Sequence, residues 1–337
     1  MKQTGIIRNA LLVALLVGSA SYAAVQKGIK EPAKENAAGL PESISLDPGD
    51  IASLNLFYGI GGKEHAPDPN GKYTFVKEDP AGTSPKFYVE DGQGVEWKVK
   101  LGQEVQSEVA AARLLWAAGY FVDEDYYLPE FKVTGLPRLH RGHSFVSADG
   151  TVNRACLKRH QKGVENGGTW DWFDNPFLGN GDLNGLRVMM SLMNSWDLKA
   201  INNAVYEMNG EWCYLVSDLG ASFGRTGNYF TRSKSVLKDY EGSHFIENAT
   251  PQDVDFVMHS RPSLRSVFTP RGYHERARME LITRHIPRAD AKRLGERLSQ
   301  LSEEQIRDCF HSAGYAPAEV EGYTRTVQKR IEELKAL

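Results

Sequence analysis

The chain has 337 residues, 41% hydrophobic, with 40 Lys and Arg against 43 Asp and Glu and a net charge of −3. Aromatic content of 10% and charged content of 25% exclude a mainly disordered, collagen-like or disulfide-framework protein. The slight acidity argues against a nucleic-acid-binding surface, and no apolar run beyond the N-terminus is long enough to span a bilayer.

The N-terminus has the three parts of a secretory signal. Lys2 and Arg8 form a basic start, Ala10 to Ala24 is uncharged and apolar, and Ser21-Tyr22-Ala23 places small residues where a signal peptidase cuts. Residues 1–23 are therefore expected to be a signal peptide, which places the mature chain in the periplasm or outside the cell. Residues 24–50 lack a sustained period and read as a linker. In an oxidising compartment, one disulfide could form among Cys156, Cys213 and Cys309; their spacing does not select a pair.

Strand-like segments follow at Tyr73–Lys77, Lys86–Glu90 and Val95–Leu101, separated by turn residues. Ser107–Ala118 reads as an apolar helix closed by Gly119. Further strand-like pieces lie at Glu130–Val133 and Val152–Leu157. A loop rich in Asn, Asp, Gly and Trp runs from Asn166 to Asn184, and Leu186–Trp196 is a strongly apolar helix. Beyond residue 250 the pattern is nearly all helical, at 274–286, 289–300, 303–313 and 317–335. The order predicts an α+β fold of two lobes, with a β-rich lobe over 51–165 and a helical lobe over 166–337.

The stretch from Asn194 to Gly224 carries the chemistry. Asn209-Gly210 is the favoured pair for a two-residue type I′ turn, with strand formers on both sides. That turn sets Asn202 opposite Ser217, next to Asp218, so an amide oxygen and a carboxylate meet at the open end of the hairpin. Asp197 lies on the loop that leaves the preceding helix. Oxygen ligands of this kind suit a hard divalent cation such as Mg²⁺, which leaves other coordination positions to phosphate oxygens.

Asp197-Leu198-Lys199-Ala200-Ile201-Asn202 resembles the catalytic loop of the protein-kinase-like superfamily, and Asp218-Leu219-Gly220 resembles its Asp-Phe-Gly motif. The helix–loop–hairpin order is also similar. The resemblance implies a small antiparallel β lobe with one helix, followed by a larger, mainly helical lobe. It implies Asp197 as the group that accepts or orients the acceptor's hydroxyl proton and Lys199 as a steadying charge on the transferred phosphoryl group. It further implies Asn202 and Asp218 as ligands of Mg²⁺ or Mn²⁺ on the phosphates of ATP. In the β lobe, Trp97-Lys98-Val99-Lys100-Leu101 sets two lysines on one strand face, and Glu108 lies early in the next helix. By resemblance, Lys100 with Glu108 is the phosphate-orienting pair and Lys98 the reserve. The turn Asp79-Pro-Ala-Gly-Thr-Ser84 stands where a loop over the phosphates would lie, with Thr83 and Ser84 as donors.

The departures matter as much. Ser195-Trp196 replaces His-Arg before Asp197, no G-x-G-x-x-G precedes the Lys strand, and no Ala-Pro-Glu follows Asp218. The sequence is thus more similar to atypical kinases, HipA-like and lipid-kinase-like, than to conventional protein kinases. The expected activity is transfer of the ATP γ-phosphoryl group to a hydroxyl acceptor of unidentified class. A second reading gives the same fold a non-catalytic, pseudokinase-like binding or scaffold role. A third is a serine esterase, because Gly220-Ala-Ser222-Phe-Gly224 matches the G-x-S-x-G elbow. His140-Arg-Gly-His143 reads as a polar loop, and Trp170, Trp172 and Phe173 as either a recognition surface or a pin at the lobe junction.

Overall fold

A computed structural model describes residues 39–160, 163–260 and 270–337. The expected signal segment and the first part of the expected linker lie outside these residues. Residues 39–50, the described remainder of that linker, are packed: β1 (Glu42–Ser43) pairs in parallel with a strand of the second lobe, and Ile44 is buried.

The first lobe is a closed barrel in the order β2-β3-β4-β6-β5. Its strands are β2 (Tyr73–Asp79), β3 (Lys86–Asp91), β4 (Glu96–Leu101), β5 (Asp125–Thr134) and β6 (Thr151–Arg159). All neighbouring pairs are antiparallel except β2 with β5, where Tyr73 faces Val133 in a parallel closure. Side chains alternate across each strand. Phe87 and Val89, Trp97, Val99 and Leu101, and Ala155 and Leu157 fill the barrel. Lys98, Lys100, Cys156 and Lys158 take the alternate positions on β4 and β6.

Helix α1 (Glu104–Ala117) lies against β5 and β6. It is buried on nearly all sides because it is also covered by the second lobe, whose core it joins through Val105, Val109, Leu114 and Leu115. Gly119 follows it at φ +86°, the left-handed conformation that closes helices.

The second lobe contains a four-stranded sheet, β1-β9-β8-β7, made with β7 (Glu165–Gly168), β8 (Asn203–Met208) and β9 (Glu211–Val216). Helix α2 (Gly181–Leu192) leads towards it, with Asn180 capping the Asp182 amide. After the short α3 (Leu237–Glu241) come β10 (Ile246–Ala249) and β11 (Asp253–Phe256). Helix α4 (Pro270–Glu280) precedes β12 (Ile286–Pro287), which completes a three-stranded sheet. This sheet departs from the nearly all-helical pattern expected after residue 250; strands of two to four residues are too short to show a period. Helices α5 (Arg288–Leu298), α6 (Glu303–His311) and α7 (Pro317–Lys335) close the lobe, and α6 packs on α1.

Trp170 and Trp172 are buried, and the Trp170 indole donates to the Leu215 carbonyl at 3.0 Å, so they pin a loop to β9. Cys156, Cys213 and Cys309 are all buried free thiols. Among the described residues, no helix is long and apolar enough to cross a membrane.

Candidate active site

The β8–β9 hairpin has the register its turn dictates. Asn209 and Gly210 both have positive φ, at +55° and +81°, and Asn203 faces Val216. One step further, the Asn202 carbonyl accepts the amides of Ser217 at 2.9 Å and Asp218 at 3.0 Å. Asp218 is therefore fixed at the mouth of the hairpin beside Asn202.

Lys100, outward on β4, reaches Asp218 from the other lobe. Its Nζ lies 3.0 Å from Asp218 Oδ1, forms a close ion pair with Glu108, and lies 3.0 Å from Glu104 Oε2. Glu104 and Glu108 share one face of α1, four residues apart. Burial opposes the ammonium charge, but Glu108, Asp218 and Glu104 outweigh it and hold Lys100 well above its ordinary pKa. Burial likewise opposes the Asp218 charge, yet Lys100 beside it keeps that carboxyl well below the usual range. Gly220 is required here: a Cβ would lie 2.5 Å from the Glu104 Cβ and 3.0 Å from Lys100 Nζ. Its carbonyl accepts the buried Ser107 hydroxyl at 2.7 Å.

Lys158 adds a second ammonium that the sequence did not single out. From β6 it lies 3.5 Å from Glu108 Oε1, 2.6 Å from Asp123 and 3.9 Å from Asp125, and it donates to the Ser217 carbonyl at 2.7 Å. Glu108 thus sits between two lysines. Burial raises its pKa against their pull. The available signal was the alternation that sets Lys158 opposite Leu157, but β4 and β6 are paired across α1 and β5, which no local pattern reveals. Lys98 lies elsewhere: its ion partner is Asp79, at 3.4 Å, and it sits over the Tyr88 ring.

The Asp197 loop is built from three directions. Trp196 donates its indole N–H to the Ser233 carbonyl at 2.8 Å and its backbone amide to the Ala221 carbonyl at 3.2 Å. Lys199 Nζ lies 2.8 Å from Asp197 Oδ1. The Asn202 amide nitrogen donates to the Asp197 carbonyl and, at 3.1 Å, to Asp197 Oδ2. With its donor end committed there, Asn202 keeps Oδ1 available as an acceptor.

These groups fit a divalent cation shared with phosphates. Lys100 and the Gly220 amide both address Asp218 Oδ1, which leaves Oδ2 on a side chain that is 45% exposed. Among the described residues, no three carboxylate, His or Cys side chains form a ready-made metal cage. Two protein oxygens with substrate supplying the rest is the arrangement Mg²⁺ favours.

The 79–84 turn is held from the side. Arg141 donates to the carbonyls of Gly82 at 2.6 Å, Pro80 at 2.9 Å and Thr83 at 3.1 Å. His140 pairs with Glu78 at 2.7 Å, so this loop braces the hairpin tip. Ser84 turns inward and donates to Glu104 at 2.5 Å. Ser222 is fully buried, and the residues after it form no helix until Leu237. An esterase elbow needs an exposed nucleophile on a strand-to-helix turn, so the G-x-S-x-G match is not one.

No protein-family model matches the chain, and no curated protein matches its sequence. Among solved structures it is similar to the Helicobacter pylori proinflammatory kinase CtkA, with 11% identity over 80% of this chain and 95% of that one, at a TM-score of 0.43. It is also similar to the golgi casein kinase, with 10% identity over 81% of this chain and 72% of that one, at a TM-score of 0.36. The architecture expected from the sequence is present: an α+β fold in which a small β lobe with one helix precedes a larger, mainly helical lobe.

Proposed function

We propose that the chain is an ATP-dependent phosphotransferase that uses Mg²⁺ or Mn²⁺ and delivers the γ-phosphoryl group to a hydroxyl. One observation carries this reading. Lys100 joins Glu108 on α1 to Asp218 at the hairpin mouth, with the Asp218 contact at 3.0 Å across 118 residues of sequence. An ion pair that spans both lobes and ends on an accessible carboxylate is suited to a nucleotide bound between them.

Lys100 would orient the phosphates, and Asn202 Oδ1 and Asp218 Oδ2 would hold the cation. When bound, the cation supplies neutralisation of phosphate charge. Asp197 would accept the acceptor's proton, and Lys199 would balance the charge that develops beside it. Positioning and electrostatics then do most of the catalytic work. The basic, apolar and small-residue sequence at the N-terminus supports action in the periplasm or outside the cell.

A second reading, a non-catalytic binding or scaffold role for the same fold, is favoured by the Glu104 carboxylate on Lys100, which occupies a cation that nucleotide would need. Thermal shift with ATP and Mg²⁺ or Mn²⁺, followed by release of labelled phosphate or its transfer to an acceptor, separates the two. A metal-dependent rise in melting temperature that Asp218→Ala abolishes is expected. No rise with any nucleotide–metal pair would sink the phosphotransfer reading and leave the scaffold; a rise without turnover would leave nucleotide binding in a non-catalytic role.

A further inference from the structure

Three donors from three separate elements converge on one carboxylate beside the candidate nucleotide site. Glu104, the first residue of α1, accepts at Oε2 from Lys100 Nζ at 3.0 Å and from Ser84 Oγ at 2.5 Å. Its Oε1 takes Lys234 Nζ in a close ion pair. Ser84 ends the loop between β2 and β3, Lys100 lies on β4, and Lys234 lies in the segment after Asp218-Leu219-Gly220. The Glu104 side chain is only 12% exposed, so the donors surround it.

Two ammonium groups and a hydroxyl about one oxyanion form the donor set of a phosphate site. The carboxylate within it is crowded by its own kind, because Glu108 and Asp218 already share Lys100. A phosphate group carries at least as much charge, has more acceptor oxygens and needs the same three donors. It cannot join Glu104 there without placing two anions in contact.

We propose that Ser84, Lys100 and Lys234 are phosphate-binding donors for a nucleoside triphosphate, and that Glu104 holds their place until nucleotide displaces it. The proposal rests on the phosphotransfer reading above. It adds Lys234 as a nucleotide-binding residue contributed by the segment after Asp218. It also makes Glu104 a competitor of the substrate that sets its affinity from within the chain.

The test is calorimetric binding of ATP with Mg²⁺ to the full chain, compared among wild type, Glu104→Gln, Lys234→Met and the double variant. Glu104→Gln is expected to bind about tenfold tighter, since the competing charge is gone. In the Glu104→Gln background, Lys234→Met is expected to weaken binding about tenfold, the loss of one charge-assisted hydrogen bond. If Lys234 served only as a structural partner of Glu104, its removal would be silent in that background, and the proposal would fall. Unchanged or weaker binding by Glu104→Gln would overturn the displacement. Glu104→Ala provides the same comparison should the glutamine variant misfold. Binding that requires Asp218 yet ignores Glu104 and Lys234 keeps the phosphotransfer reading and rejects this donor set. No binding by wild type or by Glu104→Gln rejects both.

Discussion

Arg330 Nη1 donates to the Leu192 carbonyl at 2.7 Å, which ties the last helix to the end of α2, just before the loop that carries Asp197. The same guanidinium reaches Asn194 Oδ1 at 2.9 Å and Ser243 Oγ at 2.7 Å, and it stacks over Tyr240 at 4.2 Å. Arg330 is 2% exposed, so the loop that carries Asp197 rests on a buried cation whose hydrogen bonds end on carbonyl, amide and hydroxyl oxygens. Removing it strands several carbonyl oxygens. Arg330→Met should lower the unfolding free energy by about 3 kcal/mol in denaturant melts. Arg330→Lys should lie between, because a lysine keeps the charge but not the fork. A loss below about 0.5 kcal/mol for the methionine variant would show that the loop is held by other contacts.

The two strand lysines should separate cleanly. Lys100 joins Glu108 and Asp218, whereas Lys98 is occupied with Asp79. Lys100→Met leaves Glu108 with Lys158 as its remaining cation and Asp218 without its ion partner. The metal-dependent ATP thermal shift is expected to vanish in Lys100→Met and to persist in Lys98→Met. The reverse pattern would move the phosphate site one step along β4.

How far these relationships could be read in advance depends on their distance along the chain. The two-residue Asn209-Gly210 turn fixes its register locally, so the meeting of Asn202 with Asp218 was legible. Lys100 and Glu108 lie on consecutive elements, and their pairing was expected from the resemblance rather than from a local register. Lys158 was not, since its approach to Glu108 follows from a β4–β6 pairing made across two intervening elements. Glu104 meets Lys234 from 130 residues away, through packing that leaves no periodic trace. The parallel β2–β5 closure and the sheet at 246–287 were missed because their pairings are brief: two residue pairs close the barrel, and β12 has two residues.

Asp125 should give the protein an unusual pH signature. It is buried beside Lys158, at 3.9 Å, and near Glu108 and Asp123; burial pushes its carboxyl up to about 7. A carboxyl whose folded pKa is raised binds its proton more tightly when folded. Its contribution is therefore most favourable below the ordinary carboxylate pKa and is lost as pH rises towards about 7. Asp125→Asn removes that titration. The variant should gain on wild type, by on the order of 2 kcal/mol, between about pH 4 and pH 8 in denaturant melts. A constant difference across that window would mean that Lys158 keeps Asp125 ionised throughout.

Asp197 and Ser222 supply the final discrimination. Asp197 is held by Lys199 at 2.8 Å and by the Asn202 amide at 3.1 Å, on a loop beside Asp218. Ser222 is fully buried four residues after Asp218. If Asp197 takes the acceptor's proton, Asp197→Asn should cut phosphoryl transfer by about 100- to 10,000-fold while ATP affinity stays within about threefold of wild type. Lys199 would then carry an unbalanced charge, which attracts phosphate, so any change in affinity should be towards tighter binding. Ser222→Ala should leave transfer unchanged, because its buried hydroxyl makes no hydrogen bond to the site residues. Loss of turnover in Ser222→Ala with full activity in Asp197→Asn would restore the hydrolase chemistry that the buried serine argues against.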